Sequence, residues 1–280
     1  MEKRMLKLGI VQMKMSEDPA DNLARALAGV GSAARGGADV VCLPELFSTR
    51  YFPNSQRSAQ KPESIAGPTS RAMADSAKEN RVVLVGGSIF EKAGGSRYNT
   101  CLVFDAGGKV ISKYRKVHIP QDEHYYEQDY FRGGAQYSVA KTKKGNFGTL
   151  ICFDQWYPEA ARVNRLLGAD VIFYPTAIGW VKGIEPVEGD WKQAWESVQV
   201  GHAIANGVVV CAVNRVGKEG GTTFWGGSFV CDQFGKVLFR AGDKEGVFTV
   251  DCDLGLAGMV EDGWGFMRNR KAKTYKAITK

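Results

Sequence analysis

Histidine is scarce in this 280-residue chain: His118, His124 and His202 are the only three. None stands in a metal-site spacing such as HExxH. Six cysteines are present, Cys42, Cys101, Cys152, Cys211, Cys231 and Cys252, but no two have CxxC spacing. A zinc cage and a dithiol redox pair are therefore not suggested. No apolar run approaches the roughly 20 residues of a membrane span. The chain opens Met-Glu-Lys-Arg and enters a strand at once, without the apolar core and small-residue cleavage site of a secretion signal. These gaps predict a reduced, soluble, cytoplasmic protein that does not engage membranes.

Charge of one sign is also modest. The formal net charge is +7, and part of it lies in a C-terminal run of Arg268, Arg270, Lys271, Lys273, Lys276 and Lys280. Without a nucleic-acid-binding motif, that tail does not read as a nucleic-acid site. A hydrophobic fraction of 44% is ample for a core. No Pro/Ser-rich linker divides the chain, so residues 1–280 read as one domain, with the tail from about 255 at a subunit contact.

Alternating strand and helix patterns run through the chain. A strand over 6–13 precedes a helix opened by Asp18-Pro19, with apolar positions at Leu23, Ala26, Leu27 and Val30. A buried strand over 38–43 runs into Pro44-Glu45. A helix over about 70–80, a strand over 81–86, and a strand pair over 100–104 and 109–114 follow. The second half echoes the first, with a strand over 149–153, a helix over 158–167 and a strand over 169–174 running into Pro175. Gly-Ala-Asp-Val-Val-Cys-Leu-Pro44 and Gly-Ala-Asp-Val-Ile-Phe-Tyr-Pro175 match closely. A helix over 191–206 then leads to a strand over 207–213. Two such halves predict an α/β fold of two sheets packed face to face, each covered outside by helices.

Cys152 stands in Gly148-Thr-Leu-Ile-Cys-Phe-Asp-Gln-Trp-Tyr-Pro-Glu159, where an apolar strand stops at a thiol and a proline opens a helix. A strand-to-helix turn lifts a nucleophile out of a sheet, and the positive end of a helix dipole favours thiolate over thiol. The plainer reading is a small buried hydrophobe, which is how Cys42 and Cys211 are read. A nucleophilic thiol needs a base. His202 falls inside a helix and reads as structural. Glu45, in Leu-Pro-Glu-Leu-Phe, is a stronger candidate, because a carboxylate between Leu43 and Leu46 is costly to bury without a purpose or a partner. Lys116, in Tyr114-Arg-Lys-Val-His-Ile-Pro120, is placed to pair with carboxylates and to hold an oxyanion. Glu127, in an aromatic loop, would orient that lysine or the substrate, with Asp129 its nearest competitor. Taken singly, Glu45 also reads as a loop glutamate and Lys116 as a solvated lysine.

These three motifs, in this order and each at a strand end, together resemble the nitrilase superfamily of carbon–nitrogen hydrolases over nearly the whole chain. The resemblance implies a four-layer αββα sandwich with two pseudo-symmetric halves and a Glu–Lys–Cys triad of Glu45, Lys116 and Cys152. A second family glutamate matches Glu127. The position paired with Glu45 in the other half is Thr176, so one half alone carries the acid. The implied reaction is cofactor-free C–N hydrolysis. Glu45 takes the Cys152 proton, Lys116 and the Phe153 backbone N–H hold the oxyanion, and Glu45 then serves the departing amine and the incoming water. The family also implies a homo-oligomer.

Longer stretches resemble the N-carbamoylputrescine amidase branch. These are the run from Cys152 to Arg162, Tyr174-Pro-Thr-Ala-Ile-Gly179, Gly201-His-Ala-Ile-Ala-Asn-Gly207, Asn214-Arg-Val-Gly217 and Phe224-Trp-Gly-Gly-Ser-Phe229. The implied substrate, a carbamoylated amine, carries a distal ammonium and calls for an anion at the far end of the pocket. Asp122, Glu123, Glu185 and Glu188 are the candidates. Tyr51, Tyr125, Phe153, Trp156, Thr176, Ala177 and Trp180 complete the expected pocket. The alternative is a β-ureidopropionase-like or ω-amidase-like enzyme, whose carboxylate substrate would want an arginine such as Arg50. A catalytically silent interaction module is the remaining possibility, and absence of a triad residue would have favoured it.

Overall fold

The computed structural model describes residues 3–183 and 189–279. Two large sheets organise these residues, one of seven strands and one of six. In the first, Met5–Gln12, Val40–Cys42 and Val83–Val85 run parallel. Gly246–Asp253 borders them antiparallel on one side, and Ser96–Phe104 on the other. Ser96–Phe104 also pairs with Ile89–Ala93 and Val110–Arg115. In the second sheet the parallel trio is Asn146–Thr149, Val171–Thr176 and Val209–Asn214. Val139–Lys141 and Phe229–Cys231 flank it antiparallel, and Val237–Arg240 forms the far edge. Both sheets thus share one plan, three parallel strands between antiparallel neighbours, which is the physical form of the sequence echo.

Helices connect the parallel strands in each half: Pro19–Arg35 and Pro68–Asn80 in the first, Pro158–Leu166 and Trp191–Asn206 in the second. Proline opens three of the four, where its missing N–H costs nothing. Asp18 caps the first helix, its Oδ1 accepting from the Ala20 N–H at 2.8 Å.

The period-2 pattern of the strands divides the first sheet's faces. Leu8, Ile10, Val40, Cys42, Val83, Val85, Cys101 and Val103 join one buried cluster with Phe147, Val171, Phe173, Val209 and Cys211 of the second sheet. The intervening Val11, Val41, Leu43, Leu84, Leu102 and Phe104 pack instead with Ala26, Val30 and Ala33 of one helix and Met73 and Ala77 of the next. Each fully buried aliphatic side chain contributes about 1.5–3 kcal/mol, so this two-faced burial is what makes the order helix, sheet, sheet, helix. Gly9 permits close approach on the outer face, since a Cβ there would lie 2.9 Å from the Ala33 Cβ and 3.0 Å from Val41. Cys42 and Cys211 lie in the core, where burial pushes both thiols well up.

Two local expectations need correction. The strand expected over 149–153 is Asn146–Thr149, because only one further bond, from the Leu150 N–H to the Phe173 carbonyl at 2.9 Å, continues the ladder. Ile151 stays extended and the chain then enters a short 3₁₀ turn, Cys152–Trp156. The α-helix begins only at Pro158, so Cys152 is not in its first turn and gains little from that dipole, which falls off within a turn.

Candidate active site

The candidate groups stand where strands end. Glu45 follows Val40–Cys42 and is itself followed by Leu46, whose φ of 46° is left-handed. The Leu46 N–H donates to the Ser88 hydroxyl at 2.9 Å, which secures that turn. Lys116 comes directly after Val110–Arg115, its N–H donating to the Asn99 carbonyl at 2.9 Å. Cys152 lies just beyond Asn146–Thr149 with φ 42°. Left-handed backbone at a residue with a side chain is uncommon and costs on the order of 1–3 kcal/mol, so the surroundings must impose it. Glu127 opens the 3₁₀ turn Glu127–Asp129.

The structure brings these four together in the interior. Glu45, Lys116 and Glu127 are fully buried and Cys152 is 5% exposed. The Lys116 ammonium donates to Glu45 Oε1 at 2.9 Å and to both Glu127 oxygens at 2.8 Å. Asn99 Nδ2 also donates to Glu45 Oε1, at 2.8 Å, and the Tyr51 hydroxyl donates to Glu127 Oε1 at 2.6 Å. Glu45 Oε2 is buried and has no hydrogen-bond partner. One oxygen of Glu45 is thereby anchored while the other is left able to accept a proton.

The electrostatics follow from burial and from one cation shared by two carboxylates. Burial alone would push the Lys116 ammonium down, but Glu127 and then Glu45 outweigh it and hold the group above the ordinary lysine range. Burial raises the Glu127 carboxyl above the usual range, with Lys116 pulling against it. The Cys152 thiol is pushed well up, by burial first and by the Glu45 charge second, with Lys116 opposing. This corrects the expectation of a thiolate stabilised by a helix end: the resting group is a thiol. Its Sγ lies 3.8 Å from the Ala177 carbonyl oxygen.

A cavity of about 490 Å³ reaches Cys152 and Glu127. Asp122, Tyr125, Phe153 and Trp156 line it, and so do Glu123, Gln155, Ile178, Trp191 and Pro120. Tyr51 is fully buried as a donor to Glu127 rather than part of the wall. The Thr176 hydroxyl turns back to the Tyr174 carbonyl at 2.8 Å. Ala177 contributes its carbonyl beside the thiol, and Trp180 packs on Trp225 with ring centroids 4.8 Å apart. Glu185 and Glu188 lie outside the described residues. Arg50 pairs with Glu17 and, at 3.8 Å, with Glu219, and is not among the cavity's lining residues.

None of the three histidines hydrogen-bonds to the Cys152 thiol. His202 Nε2 lies 2.8 Å from the Gln155 carbonyl oxygen, and burial lowers its pKa. His118 Nδ1 lies 2.7 Å from Asp154. Among the described residues, no group of three or more His, Cys, Asp or Glu side chains is placed to hold a metal ion. No helix among them is long and apolar enough to cross a membrane.

Sequence reasoning missed four buried polar residues around the site: Asn99, Asp154, Arg215 and Glu219. Arg215 donates to the carbonyl oxygens of Glu45 at 2.6 Å and Leu46 at 3.0 Å, and pairs with Glu219 at 3.0 Å. Glu219 in turn accepts from the Tyr51 N–H at 2.5 Å. One signal was available, since Arg215 directly follows the apolar run Val208-Val-Val-Cys-Ala-Val213 and Asn214.

With this geometry in view, the family model described as carbon-nitrogen hydrolase matches residues 7–261. The chain belongs to the carbon–nitrogen hydrolase family. As such it is an amide-hydrolysing enzyme of the nitrilase superfamily. This carbon–nitrogen hydrolase is 38% identical to an N-carbamoylputrescine amidase of Solanum tuberosum, over 98% of the chain and 95% of the relative. A citrullinase of Francisella tularensis is 35% identical over 98% of each. The crystal structure of a carbon-nitrogen hydrolase from Helicobacter pylori G27 superposes with a TM-score of 0.92 at 34% identity, over 99% of each chain. The four-layer sandwich expected from the motifs is thus the fold of the family.

Proposed function

We propose that this enzyme hydrolyses N-carbamoylputrescine to putrescine, carbon dioxide and ammonia, with Cys152 as nucleophile, Glu45 as general base and acid, Lys116 as the oxyanion partner and Glu127 as its orienting group. The observation that carries the substrate class is the lining of the cavity on Cys152. It carries the carboxylates of Asp122 and Glu123, aromatic walls from Tyr125, Trp156 and Trp191, and, among the described residues, no arginine or lysine. An aliphatic chain ending in an ammonium suits such a cavity, and a carboxylate does not. The relatives named for N-carbamoylputrescine support the same class.

In the proposed cycle, Glu45 Oε2 takes the thiol proton as sulfur attacks the carbamoyl carbon. Negative charge forms on the carbonyl oxygen beside the Lys116 ammonium, in a dry interior where such charge stabilisation is strongest. Glu45 returns the proton to the departing amine, leaving a thiocarbamate ester on Cys152. It then deprotonates the water that releases the second product, and carbamate decomposition completes the balance.

We further place the enzyme in the cytoplasm as a homo-oligomer of single-domain subunits. Six free cysteines, all buried, fit a reducing compartment. Met259, Trp264, Tyr275 and Ile278 leave a basic C-terminal segment with exposed apolar side chains that suit a subunit contact.

The test is ammonia release from N-carbamoylputrescine, citrulline, N-carbamoyl-β-alanine and a simple ω-amide. Preference for the cationic substrate is the expected result. Citrulline keeps the ureido group but adds a carboxylate at the acid-lined end, so it should be slower. Equal or faster turnover of N-carbamoyl-β-alanine would refute the assignment.

A further inference from the structure

One buried carboxylate ties the lysine segment to the cysteine turn. Asp154 is fully buried, and both of its oxygens are saturated. Oδ2 accepts from the Ile151 N–H at 2.9 Å and from the Tyr114 hydroxyl at 2.7 Å. Oδ1 accepts from the His118 N–H at 3.0 Å and lies 2.7 Å from His118 Nδ1. Ile151 immediately precedes Cys152, whereas Tyr114 and His118 lie two residues on either side of Lys116. The two segments are far apart in sequence, and this side chain hydrogen-bonds one to the other.

The same residue also closes the turn that holds the thiol. The Asp154 N–H donates to the Ile151 carbonyl at 3.1 Å while its carboxylate takes the Ile151 N–H, and Cys152 is caught between them at φ 42°. That conformation is unfavourable for cysteine and persists only where neighbours impose it. Lys116 is fixed on its other sides as well, through its N–H on Asn99 and its carbonyl accepting from the Gly134 N–H at 2.8 Å. The His118 ring lies flat on Tyr157, with centroids 3.5 Å apart, so the arm through His118 is itself held.

We infer that Asp154 is a positioning residue for the reaction. It holds the Cys152 sulfur and the Lys116 ammonium in the relative placement that attack and oxyanion capture require, through four hydrogen bonds that touch neither group directly. This rests on the proposed roles of Cys152 and Lys116. Sub-ångström placement of reacting groups is worth orders of magnitude in rate, while substrate affinity depends on the cavity walls.

The test compares wild type with Asp154→Asn, Tyr114→Phe and His118→Gln, each checked for folding by circular dichroism and thermal melting. Two readouts are taken: steady-state ammonia release, and the rate of Cys152 alkylation by iodoacetamide, mapped by peptide mass. Asp154→Asn keeps the volume but presents an amide N–H₂ to groups that are themselves donors. Its expected effect is a fall in kcat of about 100-fold with KM within about threefold. Tyr114→Phe and His118→Gln each remove one arm, with kcat expected to fall about three- to tenfold and KM again steady. Slower alkylation of Cys152 should accompany each loss, which a merely structural role would not produce in a folded variant.

A folded Asp154→Asn enzyme with wild-type kcat, or one impaired in KM alone, would overturn the inference. If Asp154→Asn does not fold, the single-arm variants decide, and unchanged kcat in both overturns it. If the wild type turns over none of the substrates, the proposed function has failed. The alkylation rates then judge the role of Asp154 independently.

Discussion

Lys116 reaches Glu45 through only one of the two carboxylate oxygens: Nζ lies 2.9 Å from Oε1, and Oε2 remains buried without a partner. A structural ion pair in the interior would use both oxygens, because an unsatisfied buried acceptor costs about 1–3 kcal/mol. An oxygen left idle in the same buried cluster as a thiol that burial keeps protonated fits the proposed role of Glu45 as base.

Glu45→Gln therefore tests the base directly. The amide keeps the shape but takes no proton, so kcat should fall by about 10²–10⁴-fold, the usual contribution of a general acid–base group. KM should stay close to wild type, since Glu45 does not line the cavity wall. Steady-state ammonia release checks both.

The pH profile should be one-sided. Burial raises the Glu127 carboxyl, so it holds a proton at higher pH than an isolated carboxylate would. As pH falls through that raised value Glu127 protonates and no longer pairs as an anion with the Lys116 ammonium, which should slow turnover. The acid limb should therefore lie well above the ordinary carboxylate range. Lys116 is held above its ordinary value by Glu127 and Glu45 despite the downward push of burial, so its charge persists through about pH 10. A plot of kcat/KM against pH should rise toward neutrality and stay level to at least that point.

Selectivity for a cationic substrate should reside in Asp122 and Glu123. In the double variant Asp122→Asn/Glu123→Gln, KM for N-carbamoylputrescine should rise about five- to tenfold, with little change for uncharged N-carbamoylbutylamine. Both residues are exposed, so added salt should shrink the wild-type preference and leave the variant unmoved. Kinetics at two ionic strengths separate these effects.

Arg215 carries the reverse kind of expectation, in stability. Arg215→Leu would take the paired guanidinium from Glu219, 2% exposed, leaving it the Tyr51 N–H and the longer Arg50 contact, and would free the Glu45 and Leu46 carbonyls that Arg215 holds. Breaking one side of a buried pair costs about 3–5 kcal/mol. Urea unfolding should show a lowered midpoint with an unchanged slope.

Much of the fold was legible because apolar runs that stop at Pro44, Pro175 and Cys152 mark strands lying at or within a few residues of those positions, and because Asp18-Pro19 and Pro158 announce helix starts. The strand ends mark where Glu45, Lys116 and Cys152 stand, so the motifs already pointed to one place. The supporting polar groups were not legible. Arg215 contacts Glu45 across 170 positions, and Asp154 contacts Tyr114 across 40. Such pairings exist only after the sheets have stacked. Tyr51 shows the same limit: an aromatic near the site suggests a pocket wall, but its hydroxyl is spent inside, on Glu127. The local state of Cys152 was misjudged for a related reason. A proline six residues on announces a helix, yet the intervening 3₁₀ turn separates the thiol from its dipole.

The central claim is a covalent bond between substrate and Cys152, and rapid quenching followed by peptide mass spectrometry tests it most directly. Wild-type enzyme is mixed with N-carbamoylputrescine, quenched at short times and digested. The expected result is a Cys152 peptide heavier by one carbamoyl or aminobutylcarbamoyl group, absent from the Cys152→Ala variant, which should also release no ammonia. An unmodified Cys152 peptide together with ammonia release by Cys152→Ala would contradict it.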